Sequence, residues 1–322
     1  MNRARLRGLI RASSRLLLRA GTVAGVVGIL SFFLMRNLPG DAAYRIAAAR
    51  YGYDVTDSAA ANAVRAELAL DQPWWTQLGA WLGQLAQGDL GHSLVSGDRV
   101  WDELSHQLGH TLALSLSAWA LALATGLVVG TALALWGKAW PRRVWTALSM
   151  TLRASPSFVV GLLLATWLAV HANWLPAAGH GSAAHFVLPT MTLALGLAAG
   201  LSLVTLQALQ QVLAAPWVKF ALTKGLSAPV VLSRHVLRNA AVPVTAYAGS
   251  QLVLLIEGVV VVESFFAWPG IGHALVHALI ARDIPVVQGA ALCMGLMFVL
   301  LSAFVDGVCW LMDPRLHERS MA

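Results

Sequence analysis

Of the 322 residues, 58% are hydrophobic and only 11% are charged, against the quarter or so of charged residues usual in soluble domains, so an ordinary soluble protein is excluded. A net charge of +7 would suit a nucleic-acid binder, but the basic residues are confined to certain segments between apolar runs, and no nucleic-acid partner is expected. Cys293 and Cys309 sit on one predicted helix, about 24 Å apart at 1.5 Å per residue, and cannot pair with each other.

Taken in chain order, six runs meet the length of about 20 apolar residues that a bilayer requires: 16–35, 110–136, 144–171, 186–206, 244–266 and 286–311. The expected class is therefore an all-α integral membrane protein with six transmembrane helices. The N-terminus holds Arg3, Arg5, Arg7, Arg11, Arg15 and Arg19 with no acid among them, the last inside the first run. That run is longer than the core of about 7–15 residues of a cleavable signal, and five more follow, so residues 1–36 read as a basic N-terminus and a first span.

Segment 37–107 carries Asp41, Asp54, Asp57, Glu67, Asp71, Asp89, Asp98, Asp102 and Glu103 against Arg45, Arg50, Arg65 and Arg99. It is expected on the outer face as a small folded element, with turn signals at Asn37-Leu-Pro-Gly40, a helical pattern around Ala59–Leu70, and Trp74, Trp75 and Trp81 as interfacial anchors. Residues 108–312 hold the other five spans, and 313–322 form a tail. The short loop 137–143 brings Lys138, Arg142 and Arg143, and 207–243 brings Lys219, Lys224, Arg234 and Arg238 without an acid. By the positive-inside rule these loops, and with an even number of spans both termini, are cytoplasmic.

Within 207–243 the stretch Ala214–Val231 has a helical pattern of its own. Trp217, Val218, Phe220, Ala221 and Leu222 precede Gly225, read as a helix stop, and a second short helix starts from about Pro229. A helix–Gly–helix unit presents a knob.

Here the chain resembles the dipeptide/oligopeptide/nickel permease family of ABC importers. Val218-Lys-Phe-Ala-Leu-Thr-Lys-Gly-Leu-Ser227 and His235-Val-Leu-Arg-Asn-Ala-Ala-Val-Pro243 look like that family's EAA-type coupling loop. Further matches run in family order along nearly the whole chain: Leu38-Pro-Gly-Asp41, Leu70-Asp-Gln-Pro73, Gly88-Asp-Leu-Gly91, Thr111-Leu112, Ser155-Pro156, Trp174-Leu-Pro176 and Leu188-Pro189, then Glu263–Gly272, Arg282–Gln288 and Asp313-Pro-Arg315.

The resemblance implies a type I importer permease in a bacterial inner membrane. A homologous second permease, two cytoplasmic ABC ATPases and a periplasmic solute-binding protein would complete the machine. The chain has no G-x-x-x-x-G-K-[ST] motif, so it is not expected to be an enzyme or to bind a cofactor, ATP and Mg residing on the ATPases. Trp217, Lys219, Ala221, Lys224, Gly225, Leu226, Arg238, Asn239 and Pro243 are the expected ATPase-coupling residues, with Gly225 allowing a turn that a Cβ would obstruct. The family usually carries arginines where this chain has Leu203, Leu206 and Leu222.

Eight of the ten histidines fall on or near the expected outer face. His106/His110 and His273/His277 are spaced i,i+4, so each pair can project from one helix face toward a passing cation, or simply fill interfacial polar positions. The short segment Trp174–His185 looks like the nickel branch of the family. The expected cargo is thus nickel or a metal chelate, or short peptides, with import of di- and oligopeptides only as the alternative. A histidine-dependent intramembrane metalloenzyme is the remaining reading, without an H-E-x-x-H motif to support it. Arg153, Glu257, Glu263 and Asp306 lie in or beside spans, as pore or gate residues or as interhelical hydrogen-bond partners. Pro156 and Pro189 are expected to kink or begin helices.

Overall fold

In the structure, a computed structural model, residues 3–52, 54, 56–67 and 72–312 are described, without the side chains of residues 3–12 and Glu257. The described chain is helical apart from turns and one antiparallel bridge, His92 to Arg99. The helices are α1 (Arg3–Asn37), α2 (Ala42–Tyr51), α3 (Ser58–Glu67), α4 (Trp74–Ala86), α5 (Val100–Leu135), α6 (Ala139–Ala154) and α7 (Ser157–Leu164), which continues as a π-helical turn to His171. They are followed by α8 (Ala183–Leu213), α9 (Pro216–Thr223), α10 (Ala228–Val231), which runs through a π turn into α11 (Leu237–Phe265), then α12 (Ile271–Ala281) and α13 (Ile284–Met312).

Among the described residues five helices are long and apolar enough to cross a membrane, and a sixth crossing is made if α6 and α7 are counted together. The expected span 144–171 is broken where Pro156 was expected to kink or begin a helix: α6 and α7 are bent by 106° at Ser155-Pro156. Pro156 lacks the N–H that would continue the ladder, and its ring disfavours helical geometry at Ser155, which is extended at ψ 131. Pro189, in contrast, lies inside α8, which continues past it.

The described residues divide into two compact units. The first runs through Thr111 and includes Pro269–Leu300. Its core gathers Met35, Leu90, Val100, Leu104, Ile271, Val286, Val287 and Ala290. A smaller cluster, Ile46, Ala47 and Val64, closes α2 on α3. Trp81 is buried rather than an interfacial anchor: its ring fills the place of a Cβ at Gly28, seating α4 on α1.

The second unit takes Leu112–Trp268 and Leu301 onward. One core cluster, including Leu114, Leu188, Val259 and Phe266, joins α5, α7, α8 and α11, and another joins the ends of α5 and α8 to α9–α11. Close approach of α5 to α8 requires Gly130, where a Cβ would lie 2.6 Å from the Ser202 carbonyl oxygen and from Thr205 Cβ. Trp119 donates its indole N–H to the Ala248 carbonyl (2.8 Å), tying α5 to α11.

Candidate functional site

The expected knob forms. α9 begins with Pro216, whose fixed φ and missing N–H suit a first helical turn. It ends in a Schellman motif: the Gly225 N–H donates to the Leu222 carbonyl (3.0 Å) and the Leu226 N–H to the Ala221 carbonyl (3.3 Å), with Gly225 at φ +86. No atom lies within 4 Å of a Cβ built on Gly225, so it is the left-handed backbone of the turn that requires glycine.

Val218, Val231 and Val236 are buried against Leu206, Leu209, Ala240 and Val244, which anchors the knob to α8 and α11. Its outer side is apolar and basic together. Trp217, Phe220, Leu222, Leu226 and Val230 are exposed, Phe220 at 60%. Lys219 and Lys224 are also exposed, the Lys224 ammonium lying 4.7 Å from the Phe220 ring centroid. Trp217 stacks edge-on toward His235, Arg238 is exposed, and Asn239 donates to the His235 carbonyl (2.8 Å). Pro243 interrupts the ladder of α11 two turns later.

In the first unit the structure reveals a polar clamp that sequence reasoning did not single out. Residues 88–100 fold into a tight turn with Gly88, Gly91 and Gly97 at positive φ. Ser93 Oγ accepts from the Val95 and Ser96 N–H groups and donates to the carboxylate of Asp283, which also accepts from Leu94 N–H (3.0 Å) and Val95 N–H (3.3 Å). Ser93 and Asp283 are both buried.

Arg282, left-handed at φ +59 where α12 ends, turns its buried guanidinium onto the Leu38 and Pro39 carbonyls. Thr111 Oγ1 accepts from the Ile271 N–H (2.9 Å) and so caps α12 at its other end. Arg50 bonds the Leu94 carbonyl (2.6 Å) and pairs with Glu67 (2.9 Å), and Arg65 pairs with Asp41 (2.6 Å). Burial alone would raise the Asp41 carboxyl, but hydrogen bonds from Arg65 and the Ala43 N–H outweigh it and hold the group below its ordinary value. The available signal was co-occurrence: Leu38-Pro-Gly-Asp41, Gly88-Asp-Leu-Gly91, Thr111 and Arg282-Asp283 all stood out as motifs, and all fall within this unit.

The expected pore residues differ in setting. Glu263 is fully enclosed at the end of α11, where its carbonyl accepts from the Trp268 N–H (2.8 Å). Asp306 is exposed on α13, and the Glu257 side chain lies outside the described residues. Arg153 is exposed at the end of α6, its Nε 3.3 Å from where a Cβ on Gly200 would sit, beside the Tyr247 hydroxyl.

Both histidine pairs form as pairs. His106 and His110 bring their Nε2 atoms within 3.3 Å, and the rings of His273 and His277 lie 4.4 Å apart. Burial first, and the nearby charge of His277 second, hold His273 below the ordinary imidazole value. Among the described residues no three His, Cys, Asp or Glu side chains gather as a metal site.

Residues 126–318 match the family described as binding-protein-dependent transport system inner membrane component. The chain belongs to that family. It is an ABC importer permease, a multi-pass inner-membrane transport subunit whose ATPase is a separate chain. Among its relatives are proteins named glutathione transport system permease protein GsiC. Those of Salmonella choleraesuis and Escherichia coli are 35% and 34% identical over 294 residues, covering 91% of this chain and 94% of theirs.

Two solved structures share the permease fold. One is an amino acid ABC transporter described with histidines, at TM-score 0.51 and 19% identity, covering 64% of this chain and 94% of that one. The other is the MetNI methionine ABC transporter in inward-facing conformations, at TM-score 0.53 and 16% identity, covering 65% and 96%.

Proposed function

We propose that this permease passes a short peptide of the glutathione class and is driven through the α9–Gly225–α10 knob. The observation that carries the cargo reading is similarity over nearly the full length to permeases named for glutathione. The knob supports the coupling reading by its shape: a helix ended by a Schellman turn, buried along one side and apolar and basic on the other, suits insertion into a groove of a partner ATPase. Lys219, Lys224 and Arg238 then lie around the apolar contact, with Trp217, Ala221, Leu226, Asn239 and Pro243 shaping it.

The basic loops put this knob, 137–143 and both termini in the cytoplasm, and segment 37–107 in the periplasm, where the clamp braces a surface for a solute-binding protein. The core spans lie in 108–312, with a homologous second permease completing the path. Co-purification of a P-loop ATPase with the permease, lost on Gly225→Trp, tests the coupling. If an ATPase is retained by the variant, or none is recovered with the unaltered chain, the proposal fails.

A second cargo reading, nickel or a metal chelate, is favoured by the two histidine pairs and by the short Trp174–His185 segment. Uptake of labelled glutathione, dipeptide and nickel in cells expressing the whole importer separates the two. Nickel uptake without peptide uptake overturns the peptide reading.

A further inference from the structure

α6 carries a pattern that neither the knob nor the clamp uses. One side packs on α8: Trp145 donates its indole N–H to Ser202 Oγ (2.8 Å), and Ser149 is fully buried. The other side exposes Trp140, Val144, Leu148 and Met150. No acid occurs from Gly137 to Trp174, while Lys138, Arg142, Arg143 and Arg153 do. Arg142 is engaged at the end of α5, bonding the Leu133 (2.8 Å) and Ala134 (3.0 Å) carbonyls; Arg143 and Arg153 are exposed.

We propose that α6 is not half of a span but an in-plane helix seated on the membrane surface, its apolar side among acyl chains and Arg143 and Arg153 on anionic phospholipid headgroups. Placing it on the cytoplasmic leaflet rests on the orientation proposed above.

Two geometric facts support it. Trp145 meets α8 at Ser202 and the Arg153 side chain lies beside Gly200, so positions eight residues apart on α6 reach the same short stretch of α8. The 106° bend then turns the chain into α7. The eight residues of α7 and the seven of its π turn reach at most about 22 Å, short of the roughly 30 Å hydrocarbon layer. An in-plane helix sunk about 5–10 Å below the headgroups starts the crossing at the depth that makes up the difference. Trp174, exposed at 76%, stands beyond the far end, where an interfacial aromatic belongs. The partner is an anionic lipid surface because the exposed charge is wholly positive and the exposed side chains between are apolar except Thr151, whose hydroxyl is turned onto the Ala147 carbonyl.

The test uses the full importer in lipid nanodiscs, with nitroxide labels placed singly at Val144 and Leu148 in a Cys293→Ser/Cys309→Ser background, and depth read from oxygen and nickel-chelate relaxation. An in-plane helix puts both labels at one shallow depth. A label at Leu148 about 6 Å deeper than at Val144 overturns the proposal, because that is the rise of a spanning helix over four residues. Immobilised labels reached by neither agent also overturn it, since they place the second permease subunit there.

Arg143→Gln/Arg153→Gln is expected to abolish preferential retention of phosphatidylglycerol over phosphatidylcholine in native mass spectra. An unchanged preference refutes the headgroup contact. The side is read separately by an impermeant thiol reagent on Lys138→Cys in oriented vesicles. Labelling from outside overturns the orientation, and the leaflet with it, whatever the depth readings say.

Discussion

Asp283→Ala removes the centre of the polar clamp, and its cost follows from the donors it strands. The carboxylate accepts from Ser93 Oγ, Leu94 N–H and Val95 N–H. A hydrogen bond to a charged group contributes about 1.5–3 kcal/mol. Ser93 is buried and loses its acceptor outright, whereas half-buried Leu94 recovers part of its bond from water and Val95 N–H keeps its bond to Ser93 Oγ (3.1 Å). The loss is therefore about 3 kcal/mol rather than the full sum of three bonds.

At about 1.4 kcal/mol per decade, this raises the opening equilibrium of the 93–96 turn by about 100-fold. Hydrogen exchange of the intact permease, read on peptides covering 90–99, is expected to speed by that factor, with Asp283→Asn intermediate because one acceptor oxygen remains. An acceleration below about threefold in the alanine variant would refute the assignment of this carboxylate as the tie.

The remaining predictions concern the knob, the helix contact and the histidines. Gly225→Ala meets open space but must hold φ +86, so it should cost about 1–2 kcal/mol locally and keep the ATPase in co-purification, while Gly225→Trp loses it. Gly130→Ala drives a Cβ into the Ser202 carbonyl and Thr205 and should sharply lower the yield of monodisperse protein, whereas Gly79→Ala, with nothing within 4 Å, should not. His273 is held below its ordinary value, so the folded state favours the neutral ring. Its contribution is fully present above about pH 6.5 and is lost as pH falls below it. Survival of a heat step should decline over that window and flatten in His273→Gln. If peptide is the cargo, changing His106, His110, His273 and His277 to Ala together leaves glutathione uptake within about twofold, and a loss of uptake would reopen the metal reading.

The spans and the knob were legible because each rests on local chemistry: apolar runs of membrane length, an acid-free basic loop, and a glycine where a short apolar helix stops. The 106° break in 144–171 was only half legible. Pro156 announces a bend, but how far the chain turns depends on how α6 packs across α8. The clamp was not legible as such, since Asp283 and Ser93 are 190 residues apart and either one alone reads as a solvent-facing polar residue. Burial, which no single sequence reports for an Asp after a helix, turns it into a tie.

The three leucines at positions where the resemblance leads one to expect arginine are also sorted by the fold. Leu203 and Leu206 are both buried within α8, Leu206 among the residues that anchor the knob, so a charge at either would face core and not a partner. Leu222 alone lies on the exposed side of α9, level with Phe220 and Leu226. The change from the family pattern thus has two consequences: a more apolar support beneath the knob and a more apolar tip. An ATPase matched to this permease should present an apolar groove with an acidic rim for Lys219, Lys224 and Arg238. Leu222→Arg, changed alone, should weaken co-purification with that ATPase by placing a strongly hydrated charge in the groove while leaving exchange in α8 unaltered. Tighter co-purification of the arginine variant would show that the groove is polar and that the leucine is a loss the permease merely tolerates.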